Sequence, residues 1–274
     1  MHAVFDVTGY FLPNTSAATY VPVPPTRLVD SRPGAGQQGL YAALSNQVPA
    51  VFTATGGVIP PDAVAVTGNL TAVSSGASGY FGLTPTSPGT VPGTSTLNFP
   101  ASDIRANAVT APLGPGGTLW VTFVGIGGTM HVVFDVTGYF VSGTSGATYV
   151  PVSPTRLVDS RPGTGQQGLY AALNNQVPAE FTATGGVIPA DVDTVAVTGN
   201  LTAVSSGASG YFGLTPTSPG AVPGTSTLNF PGHDIRANAV TAPLGPGGTL
   251  WVTFVGIGGT MHVVFDVSGY FTRK

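Results

Sequence analysis

The second half of this 274-residue chain repeats the first half. Tyr20–Ala50 recurs with few changes as Tyr149–Ala179, and Asp103–Val136 recurs unchanged as Asp234–Val267. Two stretches this similar must adopt the same fold. The length also allows two domains of ordinary size, each able to bury its own core.

Each repeat shows the pattern of an all-β protein. Short segments rich in Val, Thr, Phe and Tyr alternate with turns drawn from 40 Gly and 25 Pro residues. Such spacing is typical of β-sandwiches and barrels. The sequence predicts two tandem antiparallel β-sandwich domains of jelly-roll type, over residues 20–140 and 149–271, with an extra N-terminal strand at 1–11. We expect stiff Pro/Ser/Thr linkers at 12–25 and 141–154.

One pair of segments within the repeat predicts a hairpin. Thr118–Gly125 and Thr129–Val136 are both apolar at alternate positions, and the Gly-rich connection between them suits a tight turn. In the simplest register Leu119 opposes Phe134 on an apolar face.

A ten-residue motif occurs three times, at 2–11, 131–140 and 262–271, although two domains need it only twice. The first copy is interpreted as a remnant of a longer array, a frayed tail, or a strand that docks on a sheet edge of its own chain or of a neighbour. Docking on a neighbour gives a head-to-tail contact that builds fibres if it does not close. The residues of this predicted assembly strand are His2, Phe5, Asp6, Val7, Thr8, Tyr10 and Phe11.

The composition argues against several classes of partner. Charged residues make up 7% of the chain, the net charge is −3 and cysteine is absent. This gives no electrostatic footprint for nucleic acid or anionic membranes, and no apolar run is long enough to span a bilayer. We therefore expect no nucleic acid, no membrane insertion, no metal and no cofactor.

Arg and Asp recur together at the same places in both repeats. Their balance predicts ion pairs that tie the TRLVDSR segment to neighbouring strands. The alternative is an acidic glycan or carboxylate ligand held by Arg27 and Arg32. The predicted ion-pair residues are Arg27, Asp30, Arg32 and Asp135 in the first repeat, and Arg156, Asp159, Arg161 and Asp266 in the second.

Two further patterns are weaker. His131 precedes Asp135 on one face of a predicted strand, but no serine is placed as a nucleophile, so a packed histidine is favoured over a hydrolase. Asp191 and Asp193 suggest calcium, yet their loop lacks enough oxygen ligands.

Four aromatic residues allow two interpretations. Flat rings pack against the C–H surfaces of sugars, and aromatic residues are also enriched at protein interfaces. The interface interpretation is favoured. The candidates are Trp120 and Trp251, with Tyr80 and Tyr211.

The strings PTRLVDSRPG and HVVFDVTGYF, with STLNF between them, resemble a repeat found in secreted and surface proteins of Actinobacteria and Chloroflexi. The resemblance covers nearly the whole chain. It implies an extracellular or cell-surface location and supplies no catalytic residues.

These features predict a structural protein rather than an enzyme. The expected role is a subunit of an extracellular filament, sheath or surface layer, with other copies of the chain as partners. The alternative is a carbohydrate-binding or adhesive module that attaches a larger secreted protein to cell-wall glycans.

Overall fold

The computed structural model describes residues 6–12, 17–34, 36–73, 76–163, 165–205, 207–220, 222–257 and 259–273. In these ranges the chain is built almost entirely from β-strands. The helical elements there are two short 3-10 turns, Pro115–Gly117 and Pro246–Gly248.

The first domain contains nine strands. They are β1 (Thr19–Asp30), β2 (Leu44–Ser45), β3 (Ala50–Thr53), β4 (Ala63–Val73), β5 (Gly79–Thr84), β6 (Leu97–Phe99), β7 (Ile104–Pro112), β8 (Thr118–Gly125) and β9 (Thr129–Val141).

The second domain repeats this order. Its strands are β10 (Thr148–Asp159), β11 (Leu173–Asn174), β12 (Ala179–Thr182), β13 (Thr194–Ser205), β14 (Ser209–Thr215), β15 (Leu228–Phe230), β16 (Ile235–Pro243), β17 (Thr249–Ile257) and β18 (Thr260–Thr272).

Each domain is a sandwich of two antiparallel sheets. In the first, the β9 sheet has the order β1-β9-β4-β7, with β2 also paired to β9, and the β8 sheet has the order β3-β8-β5-β6. The second domain matches it with a β18 sheet (β10-β18-β13-β16) and a β17 sheet (β12-β17-β14-β15). This is the strand order of a jelly roll. The prediction of two tandem antiparallel β-sandwich domains is confirmed.

The predicted hairpin of β8 and β9 is wrong. These strands lie in different sheets, and their connection passes from one sheet to the other through Gly127 and Gly128, whose φ angles are 69° and 72°. Both strands direct apolar side chains into the core, but from opposite sides. A two-residue period shows which face is buried and does not show which strand lies alongside. The core side chains concerned are Leu119, Val121 and Phe123 on β8, and Val132, Phe134 and Val136 on β9.

The Pro-rich segments differ from the predicted linkers. Residues 19–25 and 148–154 belong to β1 and β10, so residues 142–147 alone join the domains. Proline is tolerated because β1 is an edge strand whose register shifts between Pro22 and Thr26.

The first copy of the repeated motif forms no strand over residues 6–12. The same sequence forms β9 and β18, and each is flanked on both sides by strands of its own domain. The place that this strand occupies is therefore filled in both sandwiches. Val7, a residue of the predicted assembly strand, is 69% exposed. His2 and Phe5 lie outside the described residues.

Candidate functional site

The two domains pack together through unlike faces. Strands β15 and β16 of the second domain lie against β4, β7 and β9 of the first. The receiving face, on the first domain, consists of Tyr20, Arg27, Asn69, Asp103 and Asp135. The docking face, on the second domain, consists of Ser226, Asn229, Arg236, Asn238 and Phe271.

A buried amide network lies at the centre of this interface. The Nδ2 atom of Asn238 donates to Asn69 Oδ1 and to the Thr227 carbonyl, both at 2.8 Å. The Oδ1 atom of Asn238 accepts from the backbone N–H of Ala108 at 2.9 Å. This N–H is available because β7 is an edge strand. Asn69 Nδ2 donates to the Ser226 carbonyl at 2.7 Å. Both side chains are thus satisfied although they are buried.

An ion pair joins the domains beside the amides. Nη1 of Arg236 lies 3.1 Å from Oδ1 of Asp103 in the other domain, and its Nη2 lies 3.0 Å from Asp234 in its own. The Arg236 side chain is only 12% exposed. Two carboxylates therefore hold one nearly buried guanidinium.

The predicted ion-pair residues of the first domain form one network. Arg27 donates from Nε and Nη2 to the two carboxylate oxygens of Asp135, at 2.8 and 3.2 Å, and from Nη1 to Asp30 at 3.0 Å. Arg32 donates to both oxygens of Asp30, at 2.8 and 2.6 Å. The guanidinium groups of Arg27 and Arg32 thus face carboxylates of their own domain, and the bidentate geometry fixes β1 to β9.

The second domain repeats this network. Arg156 donates to Asp266 at 2.8 and 3.1 Å and to Asp159 at 3.0 Å. Arg161 donates to both oxygens of Asp159 at 2.8 and 2.6 Å. The geometry is therefore a property of the repeat.

Burial and the arginines shift the pKa values of the carboxyl groups in both networks. Burial raises the pKa of Asp135 against the opposing effect of the Arg27 hydrogen bond and charge. Burial also acts to raise the pKa of Asp30, but hydrogen bonds and charge from Arg32, with the charge of Arg27, lower it overall. In the second domain the Arg161 hydrogen bond lowers the pKa of Asp159 to about 2.

Aromatic rings close one side of the interface. The Tyr20 ring is fully buried, with its centroid 4.3 Å from that of Phe271 in the other domain and 5.3 Å from that of Phe140. Its hydroxyl donates to the Thr137 carbonyl at 2.8 Å. Burial raises the pKa of Tyr20 far above its ordinary range.

The surroundings of Gly138 explain why the repeated motif contains a glycine. The Tyr20 ring lies directly over this residue, and a Cβ at Gly138 would lie 2.2 Å from the ring atoms. Gly269 has the same relation to Tyr149. A side chain at either position would displace the tyrosine.

Because the domains have nearly the same sequence, each domain carries both a receiving face and a docking face. The contact between the domains uses one face of each kind, so the other receiving face and the other docking face remain open. On the receiving side Asp135 is 2% exposed, whereas the equivalent Asp266 is 31% exposed. On the docking side Arg236 is 12% exposed, whereas the equivalent Arg105 is 35% exposed. The open receiving face lies on the second domain, and the open docking face lies on the first.

The four aromatic candidates divide between two locations. Tyr211 lies at the interface and shares a cavity with Arg27 and Arg32. Tyr80, its equivalent, is half-buried on β5 of the first domain. The structure thus brings one of the four residues into the domain interface.

The two tryptophans project from the outer faces of the β8 and β17 sheets. Trp120 is half-buried opposite Val51 and Thr84. Trp251 is half-buried opposite Glu180 and Thr215. The interface of the first domain is on the opposite side of its sandwich, because it uses the β9 sheet.

The histidine at the start of β9 pairs with a serine and not with Asp135. His131 Nδ1 lies 3.1 Å from Ser31 Oγ, and the Val132 N–H donates to the same Oγ at 2.9 Å. Ser31 is fully buried, and Asp135 is held by Arg27. The pair therefore fastens the end of β1 to β9.

Sequence reasoning missed the two central asparagines. Asn69 and Asn238 stand in the strings TGNLTAV and RANAVTA, where an amide interrupts an apolar strand. A polar side chain at such a position needs a buried hydrogen-bond partner. An asparagine within an apolar strand is therefore the sequence feature that could have indicated the interface.

No group of three or more His, Cys, Asp or Glu side chains suited to a metal occurs in the described ranges. Asp191, considered for calcium, accepts from both the N–H and the hydroxyl of Thr194 at 2.9 Å. None of the helical segments that the structure describes has the length and apolar character of a membrane span.

No family model matches this sequence, and no curated protein is significantly similar to it. A solved structure with some similarity is the N-terminal CBM22-1-CBM22-2 tandem domain of Xyn10C from Paenibacillus barcinonensis. It is 7% identical, with a TM-score of 0.24, over 98% of this chain and all of that one.

Proposed function

We propose that this chain is a non-catalytic structural protein, a subunit of an extracellular filament, sheath or surface layer built from copies of itself. The observation that carries the proposal is a set of apolar side chains exposed at the same place and to the same degree in both domains. The family resemblance of the repeat supports an extracellular location.

We call this set the end patch, because Ile126 lies where β8 leads into β9, and Tyr41 and Val48 stand before and after β2, which pairs with the start of β9. Asn46 Oδ1 accepts from Gly125 N–H at 2.9 Å and Gln47 N–H donates to the Phe123 carbonyl at 2.8 Å, which fixes the loop that carries Val48 beside Ile126. The end patch consists of Tyr41, Val48 and Ile126, 74%, 56% and 88% exposed, and of Tyr170, Val177 and Ile257, 74%, 54% and 83% exposed.

Repeated exposure of large apolar groups is typical of a contact surface. Because every molecule carries two equivalent patches, each can contact more than one neighbour. The low content of charged residues keeps electrostatic repulsion small when copies pack together.

The interface between the domains supplies the stiffness such a subunit needs. Its amide network and its cross-domain ion pair require one relative orientation to be satisfied. Residues 6–12 form no strand, so we propose contacts between surfaces in place of strand addition.

Sedimentation velocity and negative-stain microscopy test this proposal. Wild-type protein should form filaments or sheets with a repeat that matches two domains. The double variant Ile126→Ser and Ile257→Ser should stay as single particles while keeping its β-sheet circular dichroism. Val51→Ser, at an exposed site outside the end patch, is the matched control and should assemble. Single wild-type particles at every concentration, or assembly by the double variant, would contradict the proposal.

The position of the tryptophans favours carbohydrate binding as a second candidate. Trp120 and Trp251 are half-buried in equivalent settings on outer sheet faces, where a flat ring can pack on a sugar. Glycan-array binding that is lost in the double variant Trp120→Ala and Trp251→Ala, by a wild-type chain that stays monomeric, would establish it in place of self-assembly.

A further inference from the structure

Residues 6–12 lie between the two open faces. The Phe11 ring stacks on Tyr149, on the open receiving face of the second domain, with centroids 4.3 Å apart. Asp6 and Thr8 line a cavity together with residues 94–96, on the open docking face of the first domain. One short segment therefore contacts both faces.

The contact of Phe11 reproduces a contact of the domain interface. Phe11 is the copy of Phe271 in the repeated motif, and Tyr149 is the copy of Tyr20. The centroids of Phe271 and Tyr20 are also 4.3 Å apart. The same aromatic pair thus occurs twice, once between the two domains and once between the N-terminal segment and the second domain.

The contacts of Asp6 and Thr8 reproduce the interface as well. In the interface, the equivalent Asp135 and Thr137 line a cavity with residues 225–227 and 239–241. The cavity beneath Asp6 and Thr8 is lined by the sequence equivalents of those segments, 94–96 and 108–110.

The contacts of Phe11 and of Asp6 and Thr8 together imply that the head-to-tail arrangement closes on itself. The first domain receives the second, the second receives the segment at Phe11, and that segment lies on the first. A head-to-tail contact that returns to its starting point makes a ring rather than a fibre. Phe11, Phe140 and Phe271 together line one cavity at the meeting point, with centroids 6.1 Å apart for Phe11 and Phe271 and 6.4 Å for Phe140 and Phe271.

We propose that the cleft bounded by the two open faces binds a third β-sandwich domain of this same repeat, which closes a three-domain ring with approximate threefold symmetry. Residues 6–12 serve as that domain's last strand, so the occupant supplies the other strands of the sandwich. The cavity volumes support this occupant. The cavity in the interface between the two domains measures about 20 Å³, whereas the equivalent cavity beside Asp6 and Thr8, where the third domain is missing, measures about 380 Å³.

Charges on the open faces fit the same occupant. In the interface Arg236 reaches Asp103 across the domains. The open faces present Arg105 and Asp234, the copies of these two residues. A third domain of the repeat carries the complementary aspartate and arginine, so it would complete both cross-domain pairs.

The occupant is a single domain and not an intact second molecule. Two positions of the ring are filled by the two domains of this chain. A second molecule whose own domains are packed in the same way also fills two positions, and one of them would overlap.

The absence of cysteine from the chain allows a direct test by disulfide trapping. Insertion of residues 12–130 before His2 gives a chain with three complete repeats. One variant carries Asn200→Cys together with the substitution to Cys of the inserted copy of Asn107, a pair that meets only if the ring closes. The reference variant carries Asn69→Cys and Asn238→Cys, whose side chains contact each other in the domain interface.

After mild oxidation with oxidised glutathione, a closed ring predicts that both variants form intramolecular disulfides to the same extent on a non-reducing gel. Linkage of the ring pair between molecules, or failure to link while the reference pair links, would overturn the proposal. If neither pair links, carbodiimide labelling of Asp266 in the three-repeat chain decides. Labelling that falls to the level of Asp135 supports the ring, and labelling that stays as in the parent chain refutes it. These readouts do not depend on whether filaments form, so the ring and the end-patch proposal can fail separately.

Discussion

Asn238 donates a 2.8 Å hydrogen bond to Asn69, although each residue has a copy that makes no such contact. The copy of Asn238 is Asn107, which bonds to the Thr96 carbonyl of its own domain. The copy of Asn69 is Asn200, which is exposed. Identical sequences thus have different environments, and every interface residue comes with an internal control.

Substitution of the two equivalent asparagines measures what the interface contributes. Asn238→Ala leaves the Asn69 oxygen and the Ala108 N–H without their partner, so we expect the free energy of unfolding to fall by about 1–3 kcal/mol. Asn107→Ala loses no contact between domains and should have a smaller effect. Urea denaturation followed by circular dichroism compares the variants. Equal effects would show that the amide network does not join the domains.

Glycine in the repeated motif provides a second matched pair. Gly138→Ala places a methyl group against the Tyr20 ring and should destabilise the chain by about 1–3 kcal/mol. Gly9→Ala, at the equivalent position of the first copy, meets no atom within 4 Å and should change stability by less than about 0.5 kcal/mol. Thermal unfolding of the two variants checks this. A neutral Gly138→Ala would mean that Tyr20 does not pack over the strand.

Acid should weaken the fold through Asp159. The Arg161 hydrogen bond lowers the pKa of this carboxyl from 3.8 to about 2 in the folded state, so the unfolded chain takes up the proton first as the pH falls. The stability that Asp159 contributes is fully present above about pH 4 and is lost as the pH falls to about 2.

Comparison with Asp159→Asn isolates this effect. The variant should be less stable at neutral pH, because the charged hydrogen bonds to Arg156 and Arg161 are weakened. The difference from wild type should shrink between pH 4 and pH 2 in urea denaturation curves. A difference that is constant over that range would contradict the lowered pKa.

The fold could be predicted from sequence because alternating apolar residues and a closely similar repeat specify two equivalent sandwiches. The strand that pairs with β8 could not be predicted. The alternation of apolar and polar residues is the same whether Phe134 lies beside Leu119 in one sheet or across the core from it. The interface could not be predicted either. Asn69 and Asn200 have the same neighbours in sequence, and only the packing of unlike faces makes one of them buried.

Carbodiimide footprinting tests the pairing of unlike faces most directly. Trypsin cleavage after Arg105 and Arg236 places Asp135 and Asp266 in different peptides, so their labelling can be compared within one sample. Packed domains predict that Asp266, 31% exposed, is labelled and that Asp135, 2% exposed, is protected. Equal labelling of the two carboxyl groups would show that the domains do not pack through these faces.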